Sequence, residues 1–134
     1  MEKETLLGYV KREISNIDVQ REKHLNEMSN DFNHAFEWSS CEELYCLNYK
    51  RTLLVRLLDV IDETDDYKEV YSYLVNVIDR FENEVKCGIF RKNSTNIYSN
   101  IAHTLKLEEN MKLISLYVRY CEYLTNVKDP IKLK

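Results

Sequence analysis

The chain has 134 residues, a formal net charge of -4 and a pI near 5.4, a length that suits one domain able to bury a core without disulfides or metals. An acidic whole has no field to draw it onto nucleic acid or anionic lipid, and no apolar run approaches the roughly 20 residues that cross a bilayer. Only two Gly and one Pro occur, the Pro at position 130, so helix breakers are nearly absent and the expected class is all-α.

The first segment places Leu6, Val10, Ile14 and Ile17, then Leu25, Met28, Phe32 and Ala35 with Phe36, at the three-and-four spacing of an amphipathic helix. Ser15 followed by Asp18 has the form of a capping box, which predicts a short helix and then a long one divided near Ser15. A second capping box, Ser40 with Glu43, starts the next helix. Its stripe is Leu44, Leu47, Leu54, Leu58 and Ile61, widened by Leu53, Leu57 and Val60. The acidic run from Asp62 to Asp66 ends it as a solvated turn, where Asp65 and Asp66 meet the positive end of the following helix dipole.

The third long helix reads Tyr67, Val70, Tyr71, Leu74, Val77, Ile78, Phe81 and Val85, with Gly88 placed as its C-terminal cap. Ser94 or Thr95 caps a shorter helix through Ile97, Ile101, Ala102 and Leu105. A last helix from Glu108 carries Met111, Ile114, Val118 and Cys121 on one face, with Leu113, Leu116, Tyr117 and Leu124 beside them, and has ended by Pro130. The expectation is five to six helices in one domain over residues 1–134.

No N-terminal signal pattern is present, so a cytoplasmic location is expected. In that reducing compartment Cys41, Cys46, Cys87 and Cys121, which contain no C-x-x-C pair, are expected to be free thiols. The sequon at Asn93 then carries no sugar.

Four constellations bear on chemistry. Asp31 and His34 have the D-x-x-H spacing of half a di-iron site, with Glu27 one turn earlier, but the second half is missing and no metal is expected. Ile101, Ala102 and Leu105 before the helix from Glu108 loosely resemble a helix-turn-helix. There Glu108 and Glu109 would face phosphates and Lys106 replaces the turn Gly, so nucleic-acid binding is not expected. Tyr117, Tyr120 and Tyr123 recur along the last helix, a pattern that suits half-buried core positions and protein contacts equally, and as interface candidates they point to self-association above all. Arg51 falls between Leu47 and Leu54, and Arg21 with His24 interrupts the stripe between Ile17 and Leu25. An Arg facing a core needs a partner. Arg21, His24 and Arg51 therefore either pair internally, reach water, or anchor an anion at the mouth of an apolar pocket. Leu54, Leu58, Leu74, Ile78, Ile114 and Val118 are the candidates for lining that pocket. No paired carboxylates, nucleophile-base set or Gly-rich phosphate loop points to an enzyme. The chain is expected to work by binding.

From about residue 41 to 125 the order of features resembles the non-haem globin-type sensor domains of bacterial stress and sporulation signalling. It runs as a long helix over 42–62, an acidic turn over 63–66, a second long helix over 67–87, then Gly88, Ile89 and Phe90, a capped helix over 94–105 and a final helix over 108–125. The resemblance implies a globin-like fold without haem, consistent with the lack of a His on the apolar stripe of the third helix. It further implies a fatty-acid-like ligand, a homodimer, and, for a chain ending at 134 without an output domain, a stand-alone type that interferes with a sporulation histidine kinase. The rival expectation is a phage or mobile-element protein that blocks a host factor through its surface, with the acidic stretch from Asp59 to Glu69 as the contact.

Overall fold

A computed structural model describes residues 5–30, 38–64, 66–89 and 97–126. Four helices make up the described residues: α1 (Leu6–Asn30), α2 (Trp38–Glu63), α3 (Tyr67–Ile89) and α4 (Ile97–Asn126). The class is all-α, with no strand among the described residues.

Four helices stand where five to six were expected, because two expected breaks are absent. α1 runs straight through Ser15, which is exposed. A Ser in a helix interior costs only about half a kcal/mol relative to Ala, while Val10, Ile14 and Ile17 on one buried face favour continuing. The cap of α1 is instead Thr5, whose Oγ1 accepts from Gly8 N at 3.1 Å and whose carbonyl accepts from Tyr9 N at 3.1 Å. α4 is likewise unbroken from Ile97 to Asn126. Lys106, Leu107 and Glu108 are all good helix formers with no Gly or Pro near them, so nothing stops the helix there. The continuous helix also removes the turn on which a helix-turn-helix depends.

The turn after α2 does form. Asp66 caps α3, its Oδ1 accepting from Lys68 N at 2.9 Å and its carbonyl from Glu69 N at 3.0 Å, while Thr64 Oγ1 accepts from Asp66 N at 3.0 Å. Thr64 also donates to the Glu69 carboxylate. Among the expected residues, Asp31, Phe32, His34, Ala35, Phe36, Asp65, Phe90, Asn93, Ser94, Thr95 and Pro130 lie outside the described residues. α3 runs through Gly88 to Ile89, one residue past the expected stop.

Long-range contacts fix the directions. Glu13, Asp18 and Arg21 on α1 meet Lys50, Arg51 and Asn48 on α2, so the pair is antiparallel. Phe81 and Glu84 on α3 meet Tyr117 and Asn110 on α4, again antiparallel. Tyr49 reaches Asn110 and Leu53 reaches Tyr117, so α2 and α4 run parallel. The result is an up-down-up-down bundle of two hairpins, α1–α2 and α3–α4. α2 and α4 pack directly on each other along the centre, and α1 and α3 lie on opposite flanks. The core is Leu6, Val10, Ile14 and Ile17 from α1, Leu53, Leu54, Leu57 and Ile61 from α2, Val70, Leu74, Val77 and Phe81 from α3, and Leu113, Leu116, Tyr117, Tyr120, Cys121 and Leu124 from α4. No helix of the described residues is long and apolar enough to cross a membrane.

Candidate functional site

The residues singled out in the sequence do not gather in one place. Arg51, Arg21 and His24 lie along the seam between α1 and α2, each engaged by a neighbour. Arg51 Nε donates to Asp18 Oδ1 at 2.6 Å and Nη2 to Oδ2 at 3.3 Å, a bidentate pair. The guanidinium, as a hydrogen-bond donor and a positive charge, holds the Asp18 carboxyl below its ordinary value. Arg21 Nη1 donates to Asn48 Oδ1 at 3.1 Å, and its Nη2 stands 4.0 Å from Asp18. His24 is paired through Nε2 with Glu43 of α2. Lys50 Nζ extends the row, donating to Glu13 Oε2 at 2.9 Å. The side chains of Arg51 and Asp18 are 35% and 42% exposed, so the pair sits at a watery edge and not at the mouth of an internal cavity. The stripe expected to continue past Ile17 does not bury: Leu25 is 47% exposed, and no residue from Asp18 to Asn30 is buried.

The pocket-lining candidates divide in two. Leu54 and Leu74 are wholly buried core, with Leu58 and Ile114 packed half-buried against it. Ile78 and Val118 instead face a shallow groove of about 290 Å3 on the outer side of the α3–α4 hairpin, together with Tyr71, Val75, Cys121 and Thr125. The carboxylates of Asp79 and Glu122 complete its lining. Val118 is 39% exposed and Tyr71 37%, and Met111, two turns before Val118, is 58% exposed. The helix positions explain the split: Leu113, Tyr117, Tyr120 and Leu124 form the stripe that turns inward on α4, and Met111 and Val118 stand on its flank.

Of the three tyrosines expected in half-buried core positions or at an interface, two are buried within the chain. Tyr117 is 1% exposed, its hydroxyl donating to the Leu53 carbonyl at 3.3 Å, and Tyr120 is 6% exposed. Burial pushes both phenols far above their ordinary value. Both are core residues. Tyr123 is half-buried and stands edge-on to Tyr9 of α1, the ring centroids 5.0 Å apart.

A second cleft, of about 350 Å3, opens where α1 passes α4. Tyr9, Leu116, Tyr120 and Tyr123 line it, with Glu13 and the exposed Arg12 and Arg119. The Arg12 guanidinium lies 5.4 Å from the Tyr9 ring centroid. Comparison with protein-family models, curated proteins and solved structures finds no match to this chain. The physical chemistry of the two clefts is therefore what bears on function.

One polar knot lies inside the bundle. Asn110 of α4 is 1% exposed and joins three helices: Tyr49 of α2 donates to its Oδ1 at 2.5 Å, and its Nδ2 donates to Glu84 Oε1 of α3 at 3.0 Å. Lys106 Nζ stands 5.5 Å from the Tyr49 ring centroid. Next in sequence, Glu109 is 7% exposed. No hydrogen bond from the described residues reaches its Oε2, and Lys112 Nζ is 3.9 Å away. Burial raises the Glu109 carboxyl above its ordinary value, against the pull of Lys112 and Lys50. Among the described residues no His, Cys, Asp and Glu side chains group as a metal site. Cys46 is half-buried, Cys87 exposed and Cys121 buried, all three as free thiols, with burial raising Cys46 and Cys121.

Arg12, Arg119, Tyr9 and Val75 were not singled out in the sequence, and Tyr71 was read only as part of the α3 stripe. The signal for the α1–α4 cleft was present as the Leu116, Arg119, Tyr120, Tyr123 spacing on one helix and Tyr9, Arg12 on another. That the two rows meet depends on how α1 passes α4, which periodicity within a helix does not report.

Proposed function

We propose that the chain is a helical binding module that acts by docking a partner protein on the outer groove of α3 and α4. The observation that carries this reading is the apolar row of exposed Tyr71 and Val118 with half-buried Val75 and Ile78, bordered by Asp79 and Glu122. An apolar floor with two carboxylates at its edge suits an amphipathic helix that presents an apolar ridge flanked by Lys or Arg. A second copy of this chain fits less well, because a two-fold contact brings Asp79 and Glu122 toward their own like. The reading belongs to the class of surface-acting inhibitor expected above, with the contact moved from the acidic turn to the groove. Asp66 in that turn is occupied in capping α3.

The test is affinity capture with cross-linking from the native cells, comparing the wild-type chain with Ile78→Glu and Val118→Glu. Loss of a specific partner with both variants, each keeping its helical circular dichroism and cooperative melt, is expected. Equal capture by both variants sinks the groove as the contact. Light scattering on the purified chain reports separately on a homodimer.

The globin-like, fatty-acid-holding sensor that interferes with a histidine kinase is the second reading, supported by the two long helices that flank the acidic turn, though not by the break between residues 105 and 108, which the continuous α4 lacks. In this bundle Arg21 and Arg51 are engaged by Asn48 and Asp18, so its ligand needs an anchor other than these two. Extraction of the purified chain followed by mass spectrometry for lipid tests it.

A further inference from the structure

We infer that the cleft between α1 and α4 is a binding site for a small aromatic carboxylate, independent of the α3–α4 groove. Its walls supply both halves of such a ligand. Tyr9, Tyr123 and the buried Tyr120 with Leu116 form an apolar, largely aromatic floor, and Arg12 and Arg119 stand among them as exposed cations. Tyr9 and Tyr123 already meet edge to face at 5.0 Å, the arrangement that a further ring extends at the least cost. The volume of about 350 Å3 lies within the range of small-ligand sites, which run from about 300 to 1,000 Å3.

Charge decides the sign of the ligand. Glu13, the carboxylate in the lining, is taken by Lys50 Nζ at 2.9 Å, which leaves the two guanidiniums in excess. This positive spot belongs to a chain whose net charge is -4. A guanidinium offers a carboxylate two parallel donors in a plane. Arg12 also lies over the Tyr9 ring at 5.4 Å, which fixes its head close to the floor on which the ligand body would rest. Arg12 on α1 and Arg119 on α4 come from different helices, so a carboxylate held by both ties the two together.

The experiment is an amide and side-chain NMR titration of the full chain with 2-naphthoate, its neutral analogue 2-naphthamide, and decanoate. Saturable shifts confined to Tyr9, Arg12, Leu116, Arg119, Tyr120 and Tyr123 are expected with 2-naphthoate. The neutral amide should bind about tenfold more weakly, as should 2-naphthoate to Arg12→Gln or Arg119→Gln, the loss equivalent to one charge-assisted hydrogen bond. Both Arg residues are exposed, and an unchanged spectrum away from the cleft shows that each variant keeps its fold. Equal affinity for amide and carboxylate, or for wild type and both Arg variants, overturns the inference. Shifts centred on Ile78 and Val118 overturn it too, and decanoate binding more tightly than 2-naphthoate overturns the aromatic assignment. Partner capture on the α3–α4 groove is read by other variants, so failure here leaves that proposal standing and the reverse also holds.

Discussion

Asn110→Ala removes a side chain of α4 that bonds to both α2 and α3. Two hydrogen bonds are lost, the Tyr49 hydroxyl at 2.5 Å and the Glu84 carboxylate at 3.0 Å. The first is neutral, worth about 1 kcal/mol net, and the second is charge-assisted, worth about 1.5–3 kcal/mol when buried. Glu84 is exposed and regains water on truncation, so the lower end of that range applies. Tyr49 is half-buried, and burial already raises its phenol, so its hydroxyl is left poorly solvated. Ala gains back about 0.6 kcal/mol as the better helix former. The net loss is about 2–3 kcal/mol, measurable as a lower urea midpoint at unchanged slope by circular dichroism. A double-mutant cycle with Tyr49→Phe isolates the first bond and should return a coupling of about 1 kcal/mol. Asn110→Leu should cost less than Asn110→Ala, because it refills the space with apolar atoms. A loss under about 0.5 kcal/mol for Asn110→Ala, or no coupling in the cycle, would refute the knot as a joint between three helices.

Other outcomes follow from the buried carboxylate, the ion pair and the unbroken helix. Burial raises the Glu109 carboxyl, so the folded chain holds that proton more tightly than the unfolded one. Its contribution is favourable below the unfolded value of 4.5 and is lost as pH rises through the raised folded value. Glu109→Gln should therefore be more stable than wild type at pH 7, with the gap closing toward pH 4, and thermal melts across that window read it. Arg51→Ala should cost about 0.5–1 kcal/mol, since the pair with Asp18 is over a third exposed and screened, and the cost should shrink in high salt. Because Asp18 is lowered, the pair's contribution is present above the ordinary carboxylate value and is lost as acid titrates the folded Asp18. Glu108→Gly should cost about 0.5–1 kcal/mol if α4 is continuous there, and almost nothing if a turn divides two helices; chemical denaturation separates the two.

The helical class and the acidic turn were legible because they depend on local chemistry. The near absence of Gly and Pro left no competing structure, and Asp66 before an apolar run is a capping signal in any context. The two false breaks have a common cause. Ser15 with Asp18, and Lys106 before Glu108 and Glu109, look like helix starts, yet a start signal inside a helix is overridden when the apolar face runs on past it. The stripe on α4 was misplaced by one flank. Met111 and Val118 fit a helical period as well as Tyr117 and Tyr120 do, and only the positions of α2 and α3 decide which row turns inward. Arg51 between Leu47 and Leu54 was correctly marked as needing a partner. Its partner, Asp18, lies 33 residues away on the neighbouring helix, and no spacing within α2 reveals it.

The flank position of α1 has a kinetic side. Up to Ile17 the helix is seated by Leu6, Val10, Ile14 and Ile17; beyond it, from Asp18 to Asn30, the contacts to α2 are ionic and amide pairs at solvent-facing edges. Releasing that half exposes almost no apolar surface, so its opening free energy falls well below that of the whole fold. Amide protons after Ile17 thus exchange from a partly open state while those of the central α2–α4 pair wait for global unfolding. Each such opening uncovers the face of α2 that carries Asn48 and Arg51.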